Sequence, residues 1–203
     1  MKVALIGASG HVGSRILAEL ARRGHEVTAI VRNPEKVEAG AGITAVKGDV
    51  YDEAALARLL SGHDAVISAV HFTASDPQIL IRAVKASGVP RYLVVGGAGS
   101  LEVAPGVKLV DTPEFPAAYL EEARKGGDFL ELLKGERELN WTFLSPSALI
   151  QPGERTGRFR LGGDQLLVDE AGKSSISTED YAVALVDELE QPRHTRRRFT
   201  VGY

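Results

Sequence analysis

Three glycines spaced by three, Gly7, Gly10 and Gly13, stand between the apolar run Val3-Ala4-Leu5-Ile6 and a segment in which Val12, Ile16, Leu17 and Leu20 recur at helical intervals. The short run predicts a buried strand. The recurring residues predict an amphipathic helix, with Arg15, Arg22 and Arg23 off its apolar stripe and Gly24 at its end. A chain can leave a buried strand and enter a helix within so few residues only where side chains are missing at the tightest points. Gly7 then permits the turn, Gly10 lets the main chain approach a pyrophosphate, and Gly13 allows the helix to pack closely on the strand. N–H groups at the helix start lack partners of their own and face an anion. Gly7-Ala8-Ser9-Gly10-His11-Val12-Gly13 is therefore read as a dinucleotide-binding loop, against the plainer reading of a tight turn that holds nothing.

The same rhythm continues. Strands are predicted at Val27–Val31, Ile43–Val46, Ala65–Ser68, Arg91–Val95 and Trp141–Leu144, and helices at Glu53–Leu60, Asp76–Ser87 and Ala117 to about Leu133, the last of them interrupted at Gly126-Gly127. Glycines and Pro105, Pro113 and Pro116 punctuate residues 96–116 too often for a long helix, so a site loop is expected there. After Pro146 come short extended candidates at Arg158–Leu161, Gln165–Val168 and Ser175-Ile176, a helix at Thr178–Glu190 capped by Ser177 or Thr178, and a last strand at Arg198–Val201. Alternating strands and helices specify an α/β chain, a Rossmann-type doubly wound parallel sheet with a small carboxy-terminal cap. Residues 1–145 would form the core of a single domain, and 146–203 are too few to stand alone.

Composition narrows the function classes. No cysteine occurs among the 203 residues, which excludes disulfides, thiolate metal sites and a cysteine nucleophile. A net charge of −3 offers no general attraction to nucleic acid or to an anionic membrane. The basic group Arg193, His194, Arg196, Arg197 and Arg198 is read as a solvated tail before the last strand rather than a nucleic-acid patch. The apolar run at Val3–Ile6 is shorter than the roughly 7–15 residues of a signal peptide, so a cytoplasmic protein is expected.

At the end of the second strand, an NAD-binding chain usually offers Asp or Glu to the ribose hydroxyls. Here stand Arg32 and Asn33, and the guanidinium fork of Arg32 suits a 2′-phosphate, which favours NADP (NADPH) over NAD. The alternatives are an exposed strand-end charge, or Glu35 or Glu38 folding back to the ribose. Asp49 and Val50 follow the third strand where an adenine would lie; Asp49 reads equally well as a turn carboxylate. Ala69, Val70 and His71 leave the fourth strand with small residues that let a dinucleotide lie close, and His71 falls toward the nicotinamide half, in a hydrogen-bonded structural role or in proton transfer.

With these features the chain resembles the atypical short-chain dehydrogenase/reductase group, in particular its NmrA-like and flavin-reductase-like NAD(P)H-binding members. The residues that carry the resemblance are Gly7–Gly13, Val31-Arg32-Asn33-Pro34, Gly48-Asp49-Val50, Tyr92-Leu93-Val94-Val95-Gly96-Gly97-Ala98-Gly99-Ser100 and Ile176-Ser177-Thr178-Glu179-Asp180-Tyr181-Ala182. The resemblance implies NADP across the carboxyl edge of the sheet, with Gly96 beside it, and a shallow substrate site under the carboxy-terminal cap. It places Ser100 where related enzymes carry a hydroxyl near the nicotinamide, and gives Pro146 a part in shaping that pocket. Tyr119 is the companion candidate from the next helix, against a core or interface role. The Tyr-x-x-x-Lys pair of the larger group is missing: the fourth residue after Tyr119 is Ala123, after Tyr92 Gly96, and after Tyr181 Leu185. Lys125 lies about 120° around a helix from Tyr119. The expected function is NADPH-dependent hydride transfer to a flavin, a quinone or a similar flat acceptor. The alternatives are an NADP-binding redox sensor without turnover and, more weakly, a sugar-nucleotide epimerase.

Overall fold

The computed structural model describes residues 1–203. Its amino-terminal part runs β1 (Lys2–Ile6), α1 (Gly13–Arg22), β2 (Glu26–Val31), β3 (Ile43–Lys47), α2 (Glu53–Leu60), β4 (Ala65–Ser68), α3 (Pro77–Ser87) and β5 (Arg91–Val95). A two-stranded hairpin, β6 (Glu102–Ala104) and β7 (Val107–Lys108), precedes α4 (Leu120–Gly135) and β8 (Asn140–Ser145). The remainder is β9 (Leu149–Gln151), β10 (Arg160–Gly162), β11 (Ser175–Ser177), α5 (Thr178–Glu190) and β12 (Arg197–Gly202).

Eight strands form one sheet in the order β10-β12-β8-β5-β4-β1-β2-β3, parallel throughout except for the short antiparallel edge strand β10. Both faces are covered, which is why its central strands read as unbroken apolar runs rather than alternating ones. On β1, Val3 and Leu5 point to a core shared with α1 and α5, while Ala4 and Ile6 point to a second core under α2, α3 and α4. Ile16 and Leu20 of α1 are fully buried, each contributing about 1.5–3 kcal/mol through removal from water. No helix is long and apolar enough to cross a membrane.

The helix ends follow local chemistry. The carboxylate of Asp76 accepts from the N–H groups of Gln78 and Ile79, Pro77 occupies the first helical position where a missing N–H costs nothing, and Gly88 at φ +76° stops α3. Ser177, one of the two expected caps of α5, is the one used: its Oγ accepts from Asp180 N at 3.0 Å.

Three expectations are corrected. The helix α4 runs unbroken through Gly126-Gly127, because a Cβ at Gly126 would lie 2.7 Å from the Phe72 ring; the glycine seats an aromatic side chain and does not interrupt the helix. Residues Gln165–Val168 form no strand, and Gln165 makes only an isolated bridge to Glu102 of the β6–β7 hairpin. The basic group around the start of β12 is only partly a solvated tail: Arg193, Arg196 and Arg197 are exposed, whereas His194 and Arg198 are engaged. His194 stacks on Phe199 with ring centroids 4.2 Å apart, and the side chain of Arg198 is only 5% exposed.

The part expected as a cap is built into the sheet. β12 pairs in parallel with β8, β10 covers its outer edge, and α5 packs beside α1 on the same face. The β9–β11 pair and the loop between Pro152 and Phe159 lie outside the main sheet, the loop being tied down by polar contacts: Gly153 N donates to Glu179, Arg155 pairs with Glu19, and Thr156 and Gly157 donate to the buried Asp180.

Candidate functional site

Strand order reverses at β1, whose neighbours β4 and β2 lead to opposite halves of the sheet. Open parallel sheets bind ligands in the crevice outside the carboxyl ends of the strands at such a point. Here that crevice is bounded by the loop after β1 and by Ala69 and Val70 after β4. Gly7 has φ +84°, and a Cβ there would lie 2.5 Å from Ala69 O. A Cβ on Gly13 would lie 2.1 Å from Gly7 O. Both glycines are demanded by the packing of main chain on main chain.

Gly10 differs. A Cβ there would be 3.3 Å from Gly7 O and 3.8 Å from Ala69 O, so the fold alone asks less of this position. Its exposed main chain is where a ligand can come close. The N–H groups of Ser9, His11, Val12 and Gly13 meet no acceptor within the chain, whereas Gly10 N closes the turn onto Gly7 O at 3.0 Å. Ser9, Gly10 and His11 are exposed and Val12 half-buried, but the Ala8 side chain is buried in the α1 core, leaving only its main chain to the loop. A cradle with two glycines forced by packing, a third open to approach, and N–H groups without partners in the chain fits a dinucleotide pyrophosphate.

Along β2 and β3 the candidates are surface groups. Arg32 is exposed, and its guanidinium forms no hydrogen bond or ion pair within the chain; Asn33 beside it is also exposed. Asp49 Oδ1 accepts from Tyr51 N at 2.9 Å, closing a turn, while Asp52 caps α2 through Ala55 N. Val50 packs against the second core. Gly96 is explained by the fold: its N–H donates to Leu144 O at 2.8 Å, and a Cβ would strike the Phe143 ring at 2.3 Å. It is a strand-packing glycine, not an open face of the crevice.

The loop after β4 is held by a residue that sequence reasoning missed. Glu122, on the first turn of α4, accepts from Phe72 N, Thr73 N and Thr73 Oγ1, each at 2.8 Å, and lies 3.2 Å from His71 Nδ1. Partial burial works against its ionisation, but the hydrogen bonds from Thr73 and Phe72 and the neighbouring His71 outweigh it and hold the carboxyl below the ordinary glutamate range. A depressed carboxyl stabilises the fold fully above its unfolded-state value and loses that contribution as pH falls through the folded-state value. The stability gap between the parent and Glu122→Gln is therefore expected to be wide at pH 7 and to shrink below about pH 4.3. Urea midpoints at several pH values check this, and a gap that does not vary with pH counts against it. His71 is 84% exposed and takes the hydrogen-bonded structural role through Glu122.

Ser100 follows the Gly96–Gly99 loop and is half-buried. Its Oγ accepts from Arg198 Nη1 at 3.2 Å. Tyr119 is 65% exposed just ahead of α4, and its hydroxyl makes no hydrogen bond to Ser100 or to anything else in the chain. Lys125 pairs with Glu121 at 3.0 Å and supports no tyrosine. Two other tyrosines are core residues: Tyr92 shares a hydrogen bond with Ser68 at 2.9 Å, and Tyr181 donates to Leu144 O at 2.7 Å. Burial pushes both phenols well above their ordinary value, so neither supplies a proton. Arg198 sits within the basic group read as solvated; only its strand register, opposite Phe143, turns it inward.

Comparison with known proteins agrees with this geometry. Residues 7–192 match the family described as NAD(P)H-binding. The chain is 44% identical over 211 residues to the uncharacterized protein YwnB of Bacillus subtilis, covering 99% of this chain and 98% of that one. A structure from Bacteroides thetaiotaomicron, provisionally named an epimerase, superposes with a TM-score of 0.94 at 46% identity, covering 100% of this chain and 96% of that one. One from Streptococcus pneumoniae, provisionally named an NADH-flavin reductase, superposes with a TM-score of 0.84 at 39% identity over 100% and 99% of the two chains. Fold, glycine cradle and sequence match lead to one conclusion: the chain belongs to the NAD(P)H-binding family.

Proposed function

We propose that the protein is an NADPH-dependent reductase that passes hydride to a flat acceptor of the flavin or quinone type. The observation that carries this reading is the chemistry at Ser100, whose hydroxyl is held by the Arg198 guanidinium and is hydrogen-bonded to no acid or base. Bound NADPH supplies the hydride, and with a quinone the balance is NADPH, quinone and one proton giving NADP+ and hydroquinone, the proton coming from water. The chain then has three tasks: to hold the pyrophosphate on the Gly7–Gly13 loop, to hold the two rings face to face, and to present Ser100 to the acceptor oxygen. The name of the Streptococcus relative supports this reading. That of the Bacteroides relative points to epimerisation, which needs a placed general acid and base; Tyr92 and Tyr181 are locked in the core, and Lys125 is paired elsewhere.

The exposed, unpartnered Arg32 supports NADPH over NADH. Charge-assisted hydrogen bonds of about 1.5–3 kcal/mol imply that Arg32→Ala weakens NADPH binding about 10- to 100-fold and leaves NADH binding unchanged. Direct titration of both nucleotides checks this, and equal NADPH affinity in the two proteins removes Arg32 from the site. Anaerobic NADPH oxidation with flavins, quinones and small carbonyls tests the reaction itself. Turnover with flavins or quinones supports the reductase; tight NADPH binding without turnover favours a redox sensor. We place the reaction in the cytoplasm with a small-molecule acceptor, in keeping with the absence of cysteines and the net charge of −3.

A further inference from the structure

Arg198 brings together groups from three other parts of the chain. From the α4 side of β12, its Nη1 reaches Ser100 Oγ at 3.2 Å and Ser145 Oγ at 3.3 Å, and its Nη2 reaches Ser100 O at 3.5 Å. Asp164 anchors it from outside, 2.8 Å from Nε and 2.7 Å from Nη2. A guanidinium has donors only, so both serine oxygens must accept from it and their protons must point elsewhere. Neither hydroxyl donates to any group in the chain. Ser100 follows the loop after β5, and Ser145 is the last residue of β8, so both stand on the sheet edge that carries the Gly7 loop.

We propose that Arg198 is a positioning residue that makes Ser100 an outward hydrogen-bond donor, and that the site selects acceptors whose carbonyl-type oxygen becomes anionic on reduction. This deepens the reductase reading and rests on it for the reaction. Hydride arriving at a quinone gives the hydroquinone monoanion, with charge on the oxygen that Ser100 faces; water then supplies the proton. A hydroxyl polarised by a buried cation is a stronger donor to that oxygen than to the neutral carbonyl, which places the gain in turnover rather than in binding.

The test is a cycle of Ser100→Ala, Arg198→Gln and the double variant, assayed with the flavin or quinone that the parent reduces. Removal of one oxyanion donor costs about 10²–10³ in turnover elsewhere, so a loss of about 10- to 100-fold in kcat is expected here for each single variant, with no further loss in the double. NADPH dissociation constants, measured without acceptor, are expected to stay within about twofold of the parent. Losses that multiply in the double variant, or NADPH binding lost in Arg198→Gln but kept in Ser100→Ala, overturn the proposal and leave Arg198 as a pin between strands. If Arg198→Gln does not fold, Asp164→Asn carries the test: it must lower kcat in the parent and have no effect in Ser100→Ala. If the parent turns over no acceptor, the reductase reading fails while the donor is still tested with 4-nitrophenol in the NADP+ complex. Tighter binding of the phenolate by the parent than by Ser100→Ala supports the donor, and equal binding overturns it.

Discussion

Gly13→Ala is expected to destabilise the protein by about 3 kcal/mol, at the upper end of what overpacking a well-filled site costs. Gly13 is the first residue of α1, and alanine is the better helix former there by up to about 1 kcal/mol, so any loss is steric. The added Cβ would lie 2.1 Å from Gly7 O and 3.3 Å from Ala8 Cα. Both are main-chain atoms held by β1 and α1, so neither can swing aside as a side-chain end would. Gly10→Ala is the informative contrast. Its Cβ would meet Gly7 O at 3.3 Å, a contact that small adjustments relieve, so stability is expected to change by no more than about 0.5 kcal/mol. NADPH affinity is nevertheless expected to fall at least tenfold, because the methyl group stands where the pyrophosphate approaches. Urea denaturation and nucleotide titration of the two variants separate the effects. Equal stability losses at the two positions would defeat the distinction between a glycine required by the fold and one required by the ligand.

Glu188→Ala is expected to cost about 3–5 kcal/mol, because it removes one partner of a buried ion pair and leaves the other charged. Glu188 is 4% exposed and Arg91 8%, with Oε1 3.0 Å from Arg91 Nη2. Burial lowers the proton affinity of Arg91 and Glu188 offsets only part of that; the Nε of Arg91 already lacks a partner. The same carboxylate accepts from Arg193 N, His194 N and Thr142 Oγ1 and lies 2.8 Å from His194 Nδ1, so it also fixes the turn from α5 into β12. In a chain of this size about 1 kcal/mol moves the melting temperature by about 2–4 °C, so a drop of roughly 6–20 °C is expected. Glu188→Gln, which keeps an acceptor in place, is expected to fall less. A Glu188→Ala protein melting within 2 °C of the parent, on this same scale, would show that the pair contributes little.

The parts of the fold legible in the sequence are those set by local periodicity. Glu53–Leu60, Ala65–Ser68, Arg91–Val95 and Thr178–Glu190 coincide with α2, β4, β5 and α5 as read. What escaped reading depends on contacts between distant residues. Gly126 reads as a helix breaker until Phe72, 54 positions earlier, occupies the space above it. Arg198 reads as one of several exposed arginines until the pairing of β12 with β8 turns it toward Ser100. Glu122 shows no pattern of its own, since the groups it binds lie in the loop after β4, far away in sequence. Within the candidate site, the Gly7–Gly13 loop was readable because the glycine positions and the strand-helix context are local. Ser100 came from family resemblance, and its anchoring guanidinium was invisible because its register is set by tertiary pairing.

The place of β12 has a consequence for the order in which the molecule assembles. It follows every other strand of the sheet in sequence, yet it lies inside the sheet, between β8 and β10. As the chain emerges during synthesis, the free edge of β8 and the apolar side of α5 that Phe199 and Val201 cover stay uncovered until residues 197–202 have arrived. Edges left open in this way invite pairing with other chains. Completion of the sheet is thus a late, long-range event, the kind of closure that slows folding. The risk of misassembly is greatest just before the final strand docks, when Ser100 still lacks the arginine that holds it.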